Sequence, residues 1–257
     1  MGLGDEVIVT GQVRELQERD PRRVVIDYEG KKRWFDVWDH NPRIARHDEP
    51  GDHQIFRPRK GYMRPYIADK TPNKWTWKAW RPPRGEFYLT KGEIEFGRSH
   101  AGKVILQPQI KAAAPINKQW GLERWEALAA QLVAEGLRVA VIGAEIRTFW
   151  KSVEPIQTRS IRQAAAVLST CAAAIVPEGA LHHVAAAVGA RAAVIYGGYI
   201  SPEVTGYEDQ IAFFTGSELG CGKRQLCSHC QQAMKRIAPA EVAEAALRLA
   251  RMAPHGL

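Results

Sequence analysis

A chain of 257 residues with a formal net charge of +8, 45% apolar and 25% charged residues, has the composition of a globular protein and excludes a disordered or fibrous one. No apolar run approaches the roughly 18–20 residues that a bilayer-spanning helix needs. The opening residues, MGLGDEVIVTG, carry no basic segment ahead of an apolar stretch, and four cysteines are too few for a disulfide scaffold, so the expectation is a cytoplasmic chain without a transmembrane segment.

The positive charge is local. Residues 31–84 hold 14 Lys/Arg against 6 Asp/Glu, a surplus equal to the whole +8, together with five of the eight tryptophans: Trp34, Trp38, Trp75, Trp77 and Trp80. A basic, aromatic face suits a phosphate-bearing partner, nucleic acid or an anionic glycolipid. Lysine and arginine stems covering tryptophan on an ordinary solvated surface give the same composition. Both readings stand at this point.

Taken in chain order, Asp5 to Arg19 has helical spacing, with Val7, Val9, Val13 and Leu16 apolar and a stop at Asp20-Pro21. Arg23–Tyr28 reads as a short β-branched strand, and Arg33–Trp38 as another. Asn41–Arg84 is rich in proline and lacks periodicity, which predicts loops and short elements. Gly85–Arg98 resumes as strand then helix.

From Lys103 the pattern is regular. Val104–Gln107 is a buried strand, and Gly121–Glu135 an amphipathic helix with Trp125, Leu128, Leu132 and Val133 on its apolar face, closed by Gly136. Arg138–Ile142 is a strand; Ser160 caps a helix that runs to Thr170; Ala174–Val176 is the next strand. Leu181–Val188 is an Ala-rich helix, Ala192–Tyr196 and Ile211–Phe214 are strands, and Pro239–Arg251 is a closing helix. Short continuous apolar strands alternating with helices specify a parallel sheet covered on both faces. Ligands of such sheets sit at the carboxyl ends of the strands, near helix N-termini. The loops after Gln107, Gly143, Val176 and Tyr196 are therefore the expected seat of the chemistry.

The loop after Val176 reads Pro177-Glu178-Gly179-Ala180-Leu181-His182-His183. A carboxylate at a strand end and an imidazole one helical turn further on can both reach a bound sugar or diphosphate, and Gly179 lets backbone N–H groups approach a phosphate. A helix-capping Glu178 and a histidine packed on the sheet would be the purely structural alternative.

This run, continued by Val184-Ala185-Ala186-Ala187-Val188-Gly189, resembles the Asp-Ser-Gly-x-Met-His-Leu-Ala-Ala-Ala-Leu-Gly motif of glycosyltransferase family 9, the heptosyltransferases. Glu178 falls on the motif's Asp and His183 on its His. Tyr196-Gly197-Gly198 with Ser201-Pro202 and Thr205 is similar to the family's aliphatic-Gly-x-Thr-x-Pro segment, Lys118-Gln119-Trp120 to its Lys-x-Trp-Pro element, and Gly4-Asp5-Glu6-Val7 to its Gly-Asp-hydrophobic motif. The resemblance covers roughly residues 100–250 and the first twenty. It implies an α/β fold of the GT-B type: two Rossmann-like halves, with a reduced N-terminal acceptor domain over residues 1–100 and a parallel-sheet, nucleotide-sugar-binding domain over 101–257. Short forms of this kind resemble family relatives from phage and prophage genomes.

By the same resemblance the chain is a glycosyltransferase that moves a sugar from a nucleotide-diphosphate sugar to a hydroxyl acceptor, inverting and metal-independent, with no cofactor. Asp5 is the implied catalytic base; a plain N-cap is its structural alternative. Lys118, Glu178, Gly179, His183, Gly197 and Gly198 are the implied donor-binding residues, with the lysine on the diphosphate. The aromatic, basic stretch puts Trp75, Trp77, Trp80 and Arg81 on the acceptor side. The acceptor is a surface saccharide of the lipopolysaccharide type, or a hydroxymethylated pyrimidine base of phage DNA. A non-catalytic nucleic-acid-binding or virion-associated protein is the rival of a different class.

Cys221, Cys227, His229 and Cys230 have a spacing that can fill a zinc tetrahedron. A paired C-x2-C is missing, however, and His229 sits awkwardly next to Cys230. Family 9 resembles this with a Cys-rich stretch before its last helix, so the expectation is a structural loop with no metal. Cys171, at a helix end, reads as core.

Overall fold

The computed structural model describes residues 2–58, 64–110, 113–147 and 150–252. The chain opens with helix α1 (Leu3–Gln17), whose N-cap is Gly2 and not Asp5. This helix is buried on most of its circumference, at Gly4, Glu6, Val7, Ile8, Val9, Thr10, Gly11 and Val13, as befits an element enclosed by its neighbours. Three short strands follow, β1 (Val24–Ile26), β2 (Ile44–Ala45) and β3 (Gln54–Phe56), paired in parallel in the order β2-β1-β3.

The strand expected over Arg33–Trp38 is instead a 3-10 turn at Asp36–Trp38. Aromatic packing decides this: Trp38 stacks on Tyr28 at 6.2 Å between ring centroids, and Phe35 meets Trp38 edge-on at 5.0 Å. Beyond β3, the proline-rich stretch forms an antiparallel hairpin of β4 (Ile67–Lys70) and β5 (Trp75–Trp77).

Helix α2 (Lys91–Arg98) starts on a capping box of Thr90 and Glu93. The regular region then runs β6 (Val104–Leu106), α3 (Leu122–Ala134), β7 (Val139–Gly143), β8 (Val153–Gln157), α4 (Ile161–Thr170), β9 (Ala173–Pro177), α5 (Ala180–Ala187), β10 (Ala192–Gly197), α6 (Pro202–Thr205), β11 (Ile211–Phe214), α7 (Ser228–Arg236) and α8 (Pro239–Arg251). All of its strands pair in parallel, in the spatial order β8-β7-β6-β9-β10-β11. The chain winds outward from β6 in one direction, returns, and winds outward from β9 in the other. This is the doubly wound order, with its switch point between β6 and β9.

Both faces of the sheet are covered. Val104, Leu106, Val139, Val141 and Ile175 pack against Trp125, Leu128 and Leu132 of α3 and Val242, Ala246 and Leu249 of α8. On the other face Ile105, Ala140, Ala174, Val176 and Val194 join α4, α5 and α1 in one apolar cluster that continues into β1, Trp38 and Trp77. Arg162 of α4, only 4% exposed, crosses this junction. It forms a two-pronged pair with Glu93 at 2.6 and 2.7 Å, and it donates to the carbonyls of Tyr88 at 2.7 Å, Asp39 at 3.0 Å and Asp36 at 3.3 Å. The buried guanidinium thus has its donors satisfied. Burial pushes the Glu93 carboxyl up, but Arg162 and Thr90 outweigh it and hold the group at about 2.

Candidate active site

β6 and β9 run side by side and open onto the same crevice at their carboxyl ends. Glu178 follows β9; its N–H donates to the Ile195 carbonyl at 3.0 Å, extending the ladder and fixing where the side chain leaves the sheet. The carboxylate pairs with Lys118, which ends a 3-10 turn at Ile116–Lys118 on the path from β6 to α3. Lys118 Nζ also lies 5.2 Å from the centre of the Tyr199 ring. Glu178 is 6% exposed. Burial alone would raise its carboxyl, but Lys118 outweighs that and the group stays below its ordinary value, so the pair is ionic.

The two histidines of α5 are buried and neutral. His182 Nδ1 accepts from the Gly179 N–H at 3.0 Å, which leaves its Nε2–H to donate to the Thr205 carbonyl at 2.9 Å. His183 Nδ1 lies 2.9 Å from the Tyr207 hydroxyl. Burial lowers both rings below 6.5, His183 strongly, with Lys118 and the neighbouring ring adding to the effect there. At the head of α5, a Cβ on Gly179 would meet nothing within 4 Å, so this helix start borders open space.

Asp5 reaches the same crevice because α1 lies directly on α5. A Cβ on Gly4 would come within 2.7 Å of His183 Cδ2 and 3.1 Å of Ala180 Cα, so the approach requires glycine. The Asp5 carboxylate accepts from the Tyr66 hydroxyl at 2.6 Å and pairs with Arg64 at 2.9 Å. Burial opposes the charge on Arg64, but Asp5, Tyr66 and Glu6 outweigh it and raise its pKa. Arg64 also helps hold the Glu178 carboxyl down, so one guanidinium connects the Asp5 side of the crevice with the Glu178 side. Sequence reasoning missed Arg64 and Tyr66. Their one signal, Arg64-Pro65-Tyr66, lies in a segment without periodicity.

The other expected residues fall elsewhere. Gly197 and Gly198 serve close packing: a Cβ on Gly197 would lie 2.6 Å from Met234 Sδ, and one on Gly198 2.8 Å from Ala233 Cβ. Their carbonyls accept from the N–H groups of Thr215 and Cys221, each at 3.0 Å. Trp77 is 6% exposed and its indole donates to the Tyr199 carbonyl at 3.0 Å, which fixes the hairpin to the loop after β10. Trp80 is half-buried against Tyr66, ring centroids 5.8 Å apart. Trp75 is half-buried among Arg224, Lys70 and Arg64, at 4.8, 5.0 and 5.3 Å from its ring centre. Arg81 lies on the surface, paired with Glu208. The structure thus brings Asp5, Lys118, Glu178 and His183 together, with Gly179 at their edge, and places Arg81 apart from them.

The sequence profile of glycosyltransferase family 9 (heptosyltransferase) matches residues 82–237. The chain belongs to this family. No curated protein matches it by sequence search. Among solved structures, this family 9 chain is similar to a family 9 glycosyltransferase from Veillonella parvula, at 15% identity and TM-score 0.63, over 97% of this chain and 94% of that one. It is similar to TibC of enterotoxigenic E. coli, described as an iron-containing dodecameric glycosyltransferase, at 15% identity and TM-score 0.64, over 98% and 76%. Similarity to E. coli ADP-heptose lipopolysaccharide heptosyltransferase II is 22% in identity with a TM-score of 0.49, over 70% of this chain. The chain spans 55% of the length of that last protein. The doubly wound sheet and its GT-B-like setting are those of the family. Among the described residues no helix is long and apolar enough to cross a membrane.

Proposed function

We propose that this chain transfers a sugar from a nucleotide-diphosphate sugar to a hydroxyl of a surface saccharide of the lipopolysaccharide type, with inversion, with no metal in the transfer step, and in the cytoplasm. The observation that carries the reading is the meeting of Asp5 with the Lys118–Glu178 pair at the switch point, across the α1–α5 contact. Residues 1–100 serve as the acceptor side and 101–257 as the donor side. TibC has also been described in complex with ADP-D-beta-D-heptose, which makes that compound the first donor to test.

In this reading Asp5 takes the proton of the acceptor hydroxyl as it attacks the anomeric carbon, and Arg64 and Tyr66 hold the carboxylate in one orientation. Lys118 neutralises the departing diphosphate as a point cation, aided by the start of α5. The Gly179 N–H is already engaged by His182, so amides further along the first turn face the phosphate. Neutral His183 and Glu178 contact the donor. A saccharide acceptor fits better than a flipped base, because Trp77 is buried and Trp80 lies against Tyr66, which leaves neither ring placed to sandwich a base.

Asp5→Ala is expected to lower turnover by about 10²–10⁴-fold while leaving donor binding intact. Turnover would be followed by release of nucleoside diphosphate, and donor binding by calorimetry. Full turnover in that variant overturns the assignment.

A further inference from the structure

The segment from Leu219 to Leu226, between β11 and α7, has no regular secondary structure, yet much of the crevice depends on it. Asn117, the residue before Lys118, is buried, and its amide donates to the carbonyls of Lys223 at 2.6 Å and Gln225 at 2.7 Å; its oxygen accepts from the Cys227 N–H at 3.2 Å. On the other side, Trp75 N–H donates to the Gly222 carbonyl at 3.0 Å, and Arg224 N–H to the Asn73 carbonyl at 2.9 Å. Gly222 has φ +63 and a Cβ there would come within 1.8 Å of the Trp75 carbonyl oxygen, so the hairpin is seated directly on this loop. The loop therefore joins the turn that carries Lys118 to the hairpin that follows Arg64 and Tyr66. Leu219 anchors the start of this segment against the apolar core, whereas Leu226 at its end is exposed.

What gathers the loop is a cluster of four donor atoms. Cys221 lies in the loop, Cys227 caps α7, and His229 and Cys230 are in the first turn of that helix. Cys221 Sγ is 3.7 Å from Cys227 Sγ and 2.9 Å from Cys230 Sγ, and Cys230 Sγ is 3.9 Å from His229 Nδ1. All four atoms lie within 4.8 Å of one another. A tetrahedral ion with metal–sulfur bonds of about 2.3 Å and metal–nitrogen bonds of about 2.0 Å would set sulfur–sulfur edges near about 3.8 Å and sulfur–nitrogen edges near about 3.5 Å. The Cys221–Cys227 and Cys230–His229 separations already match those edges; the Cys221–Cys230 pair must open by somewhat under about 1 Å. The neighbouring positions of His229 and Cys230, which look awkward in the sequence, present no obstacle, because both ligand atoms turn to the same side of the α7 start.

We infer that Cys221, Cys227, His229 and Cys230 bind one divalent cation of the zinc class, a structural centre that fixes the loop between Lys118 and the β4–β5 hairpin. Three thiolates and an imidazole select a soft or borderline transition-metal ion over magnesium or calcium. Four protein ligands close the coordination sphere, so the ion has no open position for substrate and takes no part in the transfer. Binding releases the thiol protons to solvent and involves no oxidation or reduction.

The test is elemental analysis of the full chain, purified under reducing conditions without chelator. About one zinc-class ion per chain is expected, falling below about a tenth in Cys221→Ser and Cys227→Ser, while Cys171→Ser, outside the cluster, retains it. Should the serine variants fail to fold, cobalt(II) titration of chelator-treated wild type decides: a one-to-one tetrahedral thiolate spectrum supports the site. Absence of stoichiometric metal together with absence of that spectrum overturns the inference, as does a thiol titration showing two of the cluster's cysteines joined in a disulfide.

Discussion

The two halves of this molecule are held by different means. Past Val104 a six-stranded parallel sheet is packed on both faces by helices, with Leu128, Leu132, Val176 and Val194 fully buried. Burial of each such side chain contributes about 1.5–3 kcal/mol, so the region carries its own core. Before Lys91 the strands are two to four residues long, and the aromatic cluster of Tyr28, Phe35 and Trp38 is small. That region is completed from outside: α1 lies on α5, Trp77 is bonded to Tyr199, and Arg162 of α4 holds three of its carbonyls. A reduced half-domain can be ordered when its neighbour supplies the missing faces.

Arg162→Ala is the severest way to break this comparison. It leaves Glu93 and three carbonyls without their partner, an expected cost of about 3–5 kcal/mol. Hydrogen exchange should rise across α1 and β1–β3 while the amides of β6, β9 and β10 keep their protection. Equal loss across the sheet would show that the halves unfold as one unit.

Acid probes the seam between them. His182 and His183 are neutral when folded because burial lowers both below 6.5. The unfolded chain takes up their protons as pH falls below that value, so stability should drop by at most about 1.4 kcal/mol per pH unit for each ring, with His183, the more strongly lowered, contributing the most. Glu178, whose folded carboxyl is lowered from 4.5, loses its contribution only at still lower pH, which leaves the slope between about pH 6.5 and 5 to the histidines. Denaturant titrations at stepped pH would show the slope, and His183→Asn should remove the larger share of it. A flat profile would mean that water reaches the α1–α5 contact.

The smallest effect sharpens the comparison. Arg81 and Glu208 form a surface pair, with side chains 65% and 83% exposed. Arg81→Ala should move stability by less than about 0.5 kcal/mol. A raised acceptor KM with an unchanged melting temperature would assign Arg81 to binding, whereas an unchanged KM would remove it from the acceptor side.

The same division explains what was legible in the sequence. β6, β7, β9 and β10 are continuous apolar runs, and Ser160 and Gly136 mark helix ends, so the sheet and its site loops could be read locally. β8 was missed because it is an edge strand containing Pro155, with Ile156 its one buried residue. Helix α7 was hidden by a polar, cysteine-rich composition. In the N-terminal half, β2, β3 and the hairpin owe their form to distant partners, and Arg33–Trp38 yields to aromatic packing. Glu178 and His183 could be found because they follow a predictable strand, and Lys118 because Lys118-Gln119-Trp120 resembles a family element. Arg64 and Tyr66 could not, since only the folded chain brings them to Asp5.

The grip of Asn117 on the loop has a consequence for which substitutions the chain can absorb. Its amide contacts the main-chain carbonyls of residues 223 and 225 and the main-chain N–H of Cys227. It is therefore blind to the side chains carried there. Lys223 and Leu226 are exposed and open to replacement by almost any residue, and Gln225 gives up only a surface bond to Asn73 at 3.3 Å, while Asn117, though far from them in sequence, has no substitute that offers two donors and an acceptor in so short a side chain.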